Sequence, residues 1–482
     1  MFPVLPVLPE ILLLGLGVLV LTLDPFLKKE ETRRQFLGWF TATGLLVILV
    51  VCLLFARPEA DTSGPTAVFG GMLRFDWLGF LFQMFFVLAA GVTALFFMDT
   101  DKLNQRAEPY LLMLVSAIGM CLMASAADLV MLYLSIEMTS IPLYILAGFL
   151  TGDEKSTESG FKYLLFGALT SAVLLYGFSL IYGFSETTDL YALSSHFQSF
   201  DLLAVGVTFL ILAGLAFKVS LFPFHFWAPD VYEGAPSPVA GFLSTASKAA
   251  GFAVILRLVS AVFPLVSANW SLILAVLATL TMIVGNFVAL AQKNMKRLLA
   301  YSSIAHAGYA MIGIVAFDQF GFASTVFYMI AYLLTNLLAF AIVSVVGQVT
   351  GSDDLPAYNG LSRRNAPLAL AMLAAFLSLA GMPPFGGFVA KVFVFLAAVN
   401  TGWVWLAVVG VLNSIVGLYY YLNVLKYVYL YRTEGEDEEK KPVAVSRPVI
   451  IGIIVLVAGV ILVGTVFGPL FDLAFKAAPN LF

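Results

Sequence analysis

The sequence predicts an all-α protein that crosses a membrane many times. Three observations carry that expectation. Of 482 residues, 61% are hydrophobic and 11% charged, whereas soluble domains carry about 25% charged residues. Apolar runs of roughly 17 to 25 residues, enough for a helix to cross a bilayer, recur from one end to the other. No polar stretch between them is long enough to form a soluble domain.

About fourteen such runs are expected, at 5–23, 36–55, 76–98, 110–126, 129–150, 160–184, 202–228, 237–264, 270–291, 297–316, 321–349, 366–399, 402–431 and 447–469. The first opens as MFPVLPVLPEILLLGLGVLVLTLD, without a basic region or a small-residue cleavage site. It is therefore expected to be retained, with Pro9 and Glu10 suited to a helix start. Only Ala127 and Asp128 divide the fourth run from the fifth, and Asp128 is expected to cap the fifth helix. Pro223 interrupts the seventh run, and Pro383, Pro384, Gly386 and Gly387 interrupt the twelfth. Broken helices at membrane depth mark segments that line a cavity. RTEGEDEEKKPVAVSRP, before the last run, reads as a solvated charged linker.

Loop charges set the orientation. Lys28, Lys29, Arg33 and Arg34 follow the first span, Lys102 and Arg106 the third, and Lys293, Lys296 and Arg297 the ninth. Arg363 and Arg364 follow the eleventh, and Arg432, Lys440, Lys441 and Arg447 the thirteenth. Loops after even-numbered spans carry almost no Lys or Arg, Arg57 and Arg74 excepted. The positive-inside rule then places odd-numbered loops in the cytoplasm and both termini outside.

A net charge of −4 without a basic block argues against nucleic acid as a partner. Cys52 and Cys121 sit in apolar runs without a CxxC neighbour and read as core packing. Three histidines and no Cys/His cluster give no support for a haem, iron–sulfur or zinc site. There is no GxGxxG after a strand, no Walker loop and no nucleophile–base motif. Such a chain has groups that move protons and none that move electrons.

Those groups are the ionisable residues inside the runs. A charge at the centre of a span costs about 2.5–3.5 kcal/mol, so it needs a partner or water and by default marks an ion or proton path. Lys248 lies too far from either end of its span to snorkel, and Ser244, Lys248 and Gly251 share one face. Arg257, nearer the far end of that helix, reads as a snorkelling residue. Glu137 belongs to a polar stripe with Tyr133, Ser140 and Tyr144. Lys218 admits two readings. Either it snorkels, with Phe224 and Trp227 as an interfacial belt, or it lines a cavity beside the break at Pro223. Lys162 admits the same choice, and Lys391 follows the second break. His306 shares a face with Ser302 and Tyr309, and Thr325, Tyr328, Tyr332 and Asn336 form another polar stripe. A satisfied core histidine and a pathway member are both open for His306. His225 and His196 lie nearer span ends.

Four segments now carry a resemblance. LSIEMTSIPLYILAG, AFKVSLFPFHFWAPDVYEGAPSPVAGFLSTASKAAG, NMKRLLAYSSIAHAGYAMIG and SLAGMPPFGGFVAKVFVF resemble the antiporter-like proton-pumping subunits of NADH:quinone oxidoreductase, respiratory complex I. The likeness covers nearly the whole chain. It implies fourteen helices with two inverted five-helix repeats, spans 4–8 and 9–13, and broken helices 7 and 12. The implied divisions are residues 1–108 as an N-terminal three-helix segment, 109–265 and 266–432 as the repeats, and 433–482 as linker and final helix.

By the same resemblance, Glu137 pairs with Lys218, Lys248 is the central lysine and Lys391 the last charged site. Lys162 and His306 match the polar positions of the sixth and tenth spans. Lys391 stands where M-type members carry glutamate, and the chain lacks the C-terminal extension of L-type members, so N-type members fit best. The resemblance further implies a bacterial inner membrane, M-, K-, J- and A-type membrane subunits as neighbours, and no cofactor in this chain. NADH, FMN, iron–sulfur clusters and quinone would belong to partner subunits. A subunit of a multi-subunit cation/proton antiporter is the alternative within the family, and a non-pumping scaffold the alternative outside it.

Overall fold

The computed structural model describes residues 4–27, 30–58, 66–100, 102–196, 202–262, 267–432 and 442–478. Lys28, Lys29, Lys440, Lys441 and most of the acidic linker lie outside the described residues.

The described chain is helical almost throughout. It begins with α1 (Leu8–Leu23) and α2 (Glu30–Phe55), followed by a short antiparallel hairpin of β1 (Thr66–Val68) and β2 (Leu73–Phe75). Then come α3 (Trp77–Phe97), α4 (Glu108–Ser125), α5 (Leu129–Ala147), α6 (Glu154–Ser185), α7 (Leu202–Val219) and α8 (Trp227–Gly234). The next helix, α9, runs Ser237–Val262 with one π turn at Leu243–Ser247. It is followed by α10 (Ser267–Ala289), α11 (Met295–Val315) and α12 (Gln319–Thr350). The chain closes with α13 (Ala366–Ala380), α14 (Gly386–Asn400), α15 (Val404–Tyr429), α16 (Arg447–Thr465) and α17 (Phe467–Ala477).

Twelve helices are long and apolar enough to cross a bilayer, among the described residues. The expected seventh and twelfth spans are instead split, into α7 and α8 and into α13 and α14. Two elements escaped the sequence reading: the β1–β2 hairpin, and α17, which is set off from α16 by a non-helical Val466.

The two breaks share one backbone design. Each first half ends on a residue with positive φ, Ser220 (59°) and Gly381 (84°). At the first, the Ser220 N–H donates to Phe217 O (3.1 Å) and the Leu221 N–H to Ala216 O (2.8 Å). At the second, Gly381 donates to Ser378 O (3.0 Å) and Met382 to Leu377 O (2.9 Å). This is a Schellman ending, which satisfies the last carbonyls of a helix. The Phe222–Pro223 and Pro383–Pro384 peptides are both cis.

A second correspondence lies upstream. The Asp128 side chain caps α5 by accepting from the Val130 and Met131 N–H groups, as expected. Asn294 caps α11 in the same way. Each cap residue also pairs with the chain beyond the following helix: Asp128 with Asp189, and Asn294 with Asp354. The helices enclosed, α6 and α12, have 32 residues each.

Burial separates the interior from the lipid face. The most apolar stretches of α9 and α12 are wholly buried, whereas those of α1, α2, α6 and α16 are mostly exposed. Exposed leucines, valines and phenylalanines on the outer helices are what a bilayer requires. Cys52 and Cys121 are buried free thiols.

Arg257 does not snorkel. It is 1% exposed, because its guanidinium is enclosed by Asp76, Ala124 and Tyr191. Its guanidinium donates to both carboxylate oxygens of Asp76 (2.8 Å each), to Ala124 O (2.6 Å) and to the Tyr191 hydroxyl (3.0 Å). Asp76 caps α3 through the Gly79 N–H, and Arg74 on β2 lies over the Tyr191 ring. The pair thereby locks α3, α4, α9 and the hairpin together.

Candidate proton pathway

On α5 the polar stripe faces inward. The Ser171 hydroxyl on α6 sits between the Glu137 carboxylate, to which it makes a short hydrogen bond, and the Tyr133 hydroxyl at 3.2 Å. Lys218, 6% exposed, donates its ammonium to Ser140 Oγ at 2.8 Å. Glu137, Ser140, Tyr144, Ser171 and Lys218 line one small cavity. Its space at water centres, ≈ 20 Å³, suits about one water. The ammonium and the carboxylate share this cavity without a direct ion pair. Snorkelling fails for Lys218, because Trp227 is no interfacial belt residue: it is 3% exposed, stacks on Tyr163 at 4.6 Å and donates to Phe217 O at 3.1 Å.

Lys218 leads to Lys248. Gly251 lies on the Lys248 face of α9, and a Cβ placed there would sit 3.2 Å from Lys218 Cγ and 2.6 Å from Val219 Cγ1. Only hydrogen keeps that approach open. Lys248, 2% exposed, donates to Ser303 O at 3.1 Å and makes a short bond to Ser303 Oγ on α11. Ser244, one turn earlier, accepts from Asn336 Nδ2 at 2.8 Å. The π turn directly precedes Lys248; such turns recur at functional positions.

Three residues beyond Ser303 stands His306. Its Nδ1 is 2.7 Å from the Tyr328 hydroxyl and its Nε2 3.2 Å from the Tyr421 hydroxyl, and its ring stacks on Tyr332. Both ring nitrogens thus meet groups that can give or take a proton. Tyr309 joins His306, at 5.7 Å between rings, to Lys391, whose ammonium lies 4.8 Å from the Tyr309 ring centre. Lys391, 5% exposed, donates to Leu379 O (3.0 Å) and Ala380 O (3.1 Å), the last carbonyls of α13. A cation belongs at that negative end of the helix dipole.

Glu137, Lys218, Lys248, His306 and Lys391 therefore lie in one succession across the interior, each held by its own polar or aromatic partners. The gaps are polar. The Tyr232 and Tyr332 hydroxyls reach Ser303, and Asn336 Oδ1 is buried without a partner among the described residues, a group of the kind ordinarily satisfied by ordered water.

Lys162 is absent from this chain. Its ammonium binds Asp230 (2.6 Å) and Glu158 (2.5 Å) in a partly exposed network. Arg297 bridges Asp230 (2.8 Å) and Glu233 (2.9 Å), and Lys155 binds Glu233 (2.8 Å). The sequence reading missed Asp230 and Glu233, although both stand in FWAPDVYEG, the most distinctive block of the chain. They tie α6 and α11 to the helix after the first break.

Burial raises both carboxyl groups, but the hydrogen bonds and charges of Lys162, Lys155 and Arg297 outweigh it and hold both below the usual carboxylate range. Their contribution to stability is full above the ordinary carboxylate value and is lost as pH falls through the lowered one. Thermal stability of the solubilised complex is expected to stay level from neutral pH to about 5 and to fall below about 4. In Arg297→Gln that acid fall should shrink, and scanning calorimetry at stepped pH reads the difference.

Residues 126–417 match the family described as NADH:quinone oxidoreductase/Mrp antiporter, TM. The NADH-quinone oxidoreductase subunit N of Heliobacterium modesticaldum is 41% identical over 472 residues, covering 98% of this chain and 97% of that protein. That of Moorella thermoacetica is 41% identical over 476 residues, covering 97% and 96%. A chain of respiratory complex I from Thermus thermophilus superposes with a TM-score of 0.80 at 33% identity, covering 97% of this chain and 99% of that one. A chain of the Mrp complex from a Dietzia species shares the fold, with a TM-score of 0.87 at 20% identity over 99% and 97%. With its buried lysines strung between two broken helices and its sequence matched from end to end, this chain belongs to the antiporter-like membrane-subunit family of NADH:quinone oxidoreductase and the Mrp antiporters.

Proposed function

We propose that this chain is the N-type proton-translocating membrane subunit of NADH:quinone oxidoreductase in a bacterial inner membrane. The observation that carries the proposal is the row of buried ionisable groups Lys218, Lys248, His306 and Lys391, entered from the half-buried Glu137. A scaffold needs only pairs that cancel, as Arg257 and Asp76 do. These lysines instead rest on hydroxyls and carbonyls, neutral groups that hold an ammonium and also accommodate its neutral form.

Residues 109–265 and 266–432 act as two repeats of five crossings each. The matched breaks and matched cap bridges support this division. An odd number of crossings makes the second copy enter from the opposite face, with odd-numbered loops in the cytoplasm and both termini outside. Residues 1–108 and 433–482 flank the repeats.

A proton enters the Glu137–Lys218 cavity and is held at Lys218, whose ammonium donates to Ser140. It passes along the Gly251 face to Lys248, through Ser303 to His306, and on past Tyr309 to Lys391. Repulsion between neighbouring ammonium groups drives the last proton out. Electron transfer belongs to partner subunits carrying FMN, iron–sulfur clusters and the quinone, and it biases the two arrangements of this chain. Lys162 serves with Asp230 as an anchor of the broken helix.

The test is reconstitution of the whole complex in vesicles. NADH oxidation is expected to acidify the lumen in buffer free of sodium and potassium. A requirement for either cation would favour cation/proton exchange instead.

A further inference from the structure

On the lipid face, α2, α3 and α17 enclose a groove of about 430 Å³. Leu49 and Leu53 of α2, Met84 and Leu88 of α3, and Leu470 and Leu473 of α17 line it. Trp77 stands at the first turn of α3, and exposed Arg57 lies just past the end of α2, at the same end of the groove. From Trp77 to Leu88 the wall runs eleven residues along a helix, about 16 Å. That is close to half of the ~30 Å hydrocarbon core. The groove therefore starts at head-group level, marked by a tryptophan and an arginine, and ends near the bilayer midplane.

A partner helix would need a longer seat, and a soluble ligand would have no route to an apolar floor. An acyl chain fills one leaflet in depth, and a cation at the rim meets a phosphate. A second groove, of ≈ 500 Å³ between α14 and α15, offers the contrast: it is lined by valine, leucine, alanine and phenylalanine alone, with no charge at either end. Nothing marks it for a particular head group.

We infer that the groove between α2, α3 and α17 is a binding site for one anionic phospholipid, its acyl chain along Leu49, Leu53 and Met84 and its phosphate on Arg57. A lipid seated there joins the N-terminal helices to the closing amphipathic helix α17.

The experiment is lipid analysis of the intact complex after repeated exchange into mild detergent. The wild-type complex should retain anionic phospholipid, and Arg57→Gln should lower its retention by about fivefold, the factor equal to ~1 kcal/mol. Arg57→Lys should keep most of it. Leu53→Trp fills the groove and should also expel the lipid, without touching the charge. Retention unchanged in both Arg57→Gln and Leu53→Trp would overturn the inference. So would equal retention of neutral phospholipid, or density for a neighbouring subunit's side chains in the groove of a complex imaged in native lipid.

Discussion

Replacing Lys218 by alanine is expected to abolish proton translocation while the complex still assembles. The ammonium is the first cation met from Glu137, and Lys248 does not line the cavity that the two share. Losing a positioned acid–base group costs about 10²–10⁴-fold in proton transfer, which amounts to loss of pumping. Assembly should survive, because the bonded partner of Lys218, Ser140, is neutral, and the half-buried Glu137 keeps its hydrogen bond from Ser171. Lumen acidification per NADH oxidised, in vesicles matched for complex content, reads the effect. Glu137→Gln should act in the same direction but less, since Ser171 and Tyr133 remain to order water beside it.

Arg257→Met is expected to fail in the opposite manner. Removing the guanidinium leaves the buried Asp76 carboxylate with only the longer Arg74 contact, at 3.7 Å, and breaking a buried ion pair costs roughly 3–5 kcal/mol. The assembled complex should drop sharply in membranes, and what remains should melt at lower temperature. Asp76→Asn combined with Arg257→Met should recover much of the loss, because the buried charge is gone while the amide oxygen still caps α3. Blue-native gels and thermal melts of the two variants separate these outcomes. Normal assembly of the single variant would mean that water reaches the pair. Lys218 and Arg257 thus divide the buried charges by role: one is held by neutral groups and carries protons, the other is cancelled and holds helices.

That division was only half legible in the sequence. The face of Ser244, Lys248 and Gly251, the stripe from Tyr133 to Tyr144 and the stripe from Thr325 to Asn336 follow from helical spacing, and each makes polar contacts in the interior. The two broken spans were legible because proline and glycine act locally. Arg257 was misread because its partner lies 181 positions away, in a loop whose hairpin is too short to register as strand. Lys162 stayed ambiguous for the same reason: Asp230 is 68 positions away. Helix α17 is not legible in the sequence: the last expected span ends at 469, three residues into it, since one non-helical residue, Val466, is all that separates it from α16. Periodicity reports which face a residue occupies. It does not report which distant charge shares that face.

The pathway depends most directly on Lys248, which stands between Lys218 and His306 in the succession. Lys248→Met keeps nearly the same volume in a wholly buried helix and removes only the titrating group. The decisive measurement is the proton-to-electron ratio of the reconstituted complex carrying that substitution, taken beside the thermal stability of the same preparation. A lowered ratio with stability unchanged or raised is the expected result. A full ratio with altered stability would show Lys248 to be a helix-holding residue and the interior chain of charges to conduct nothing.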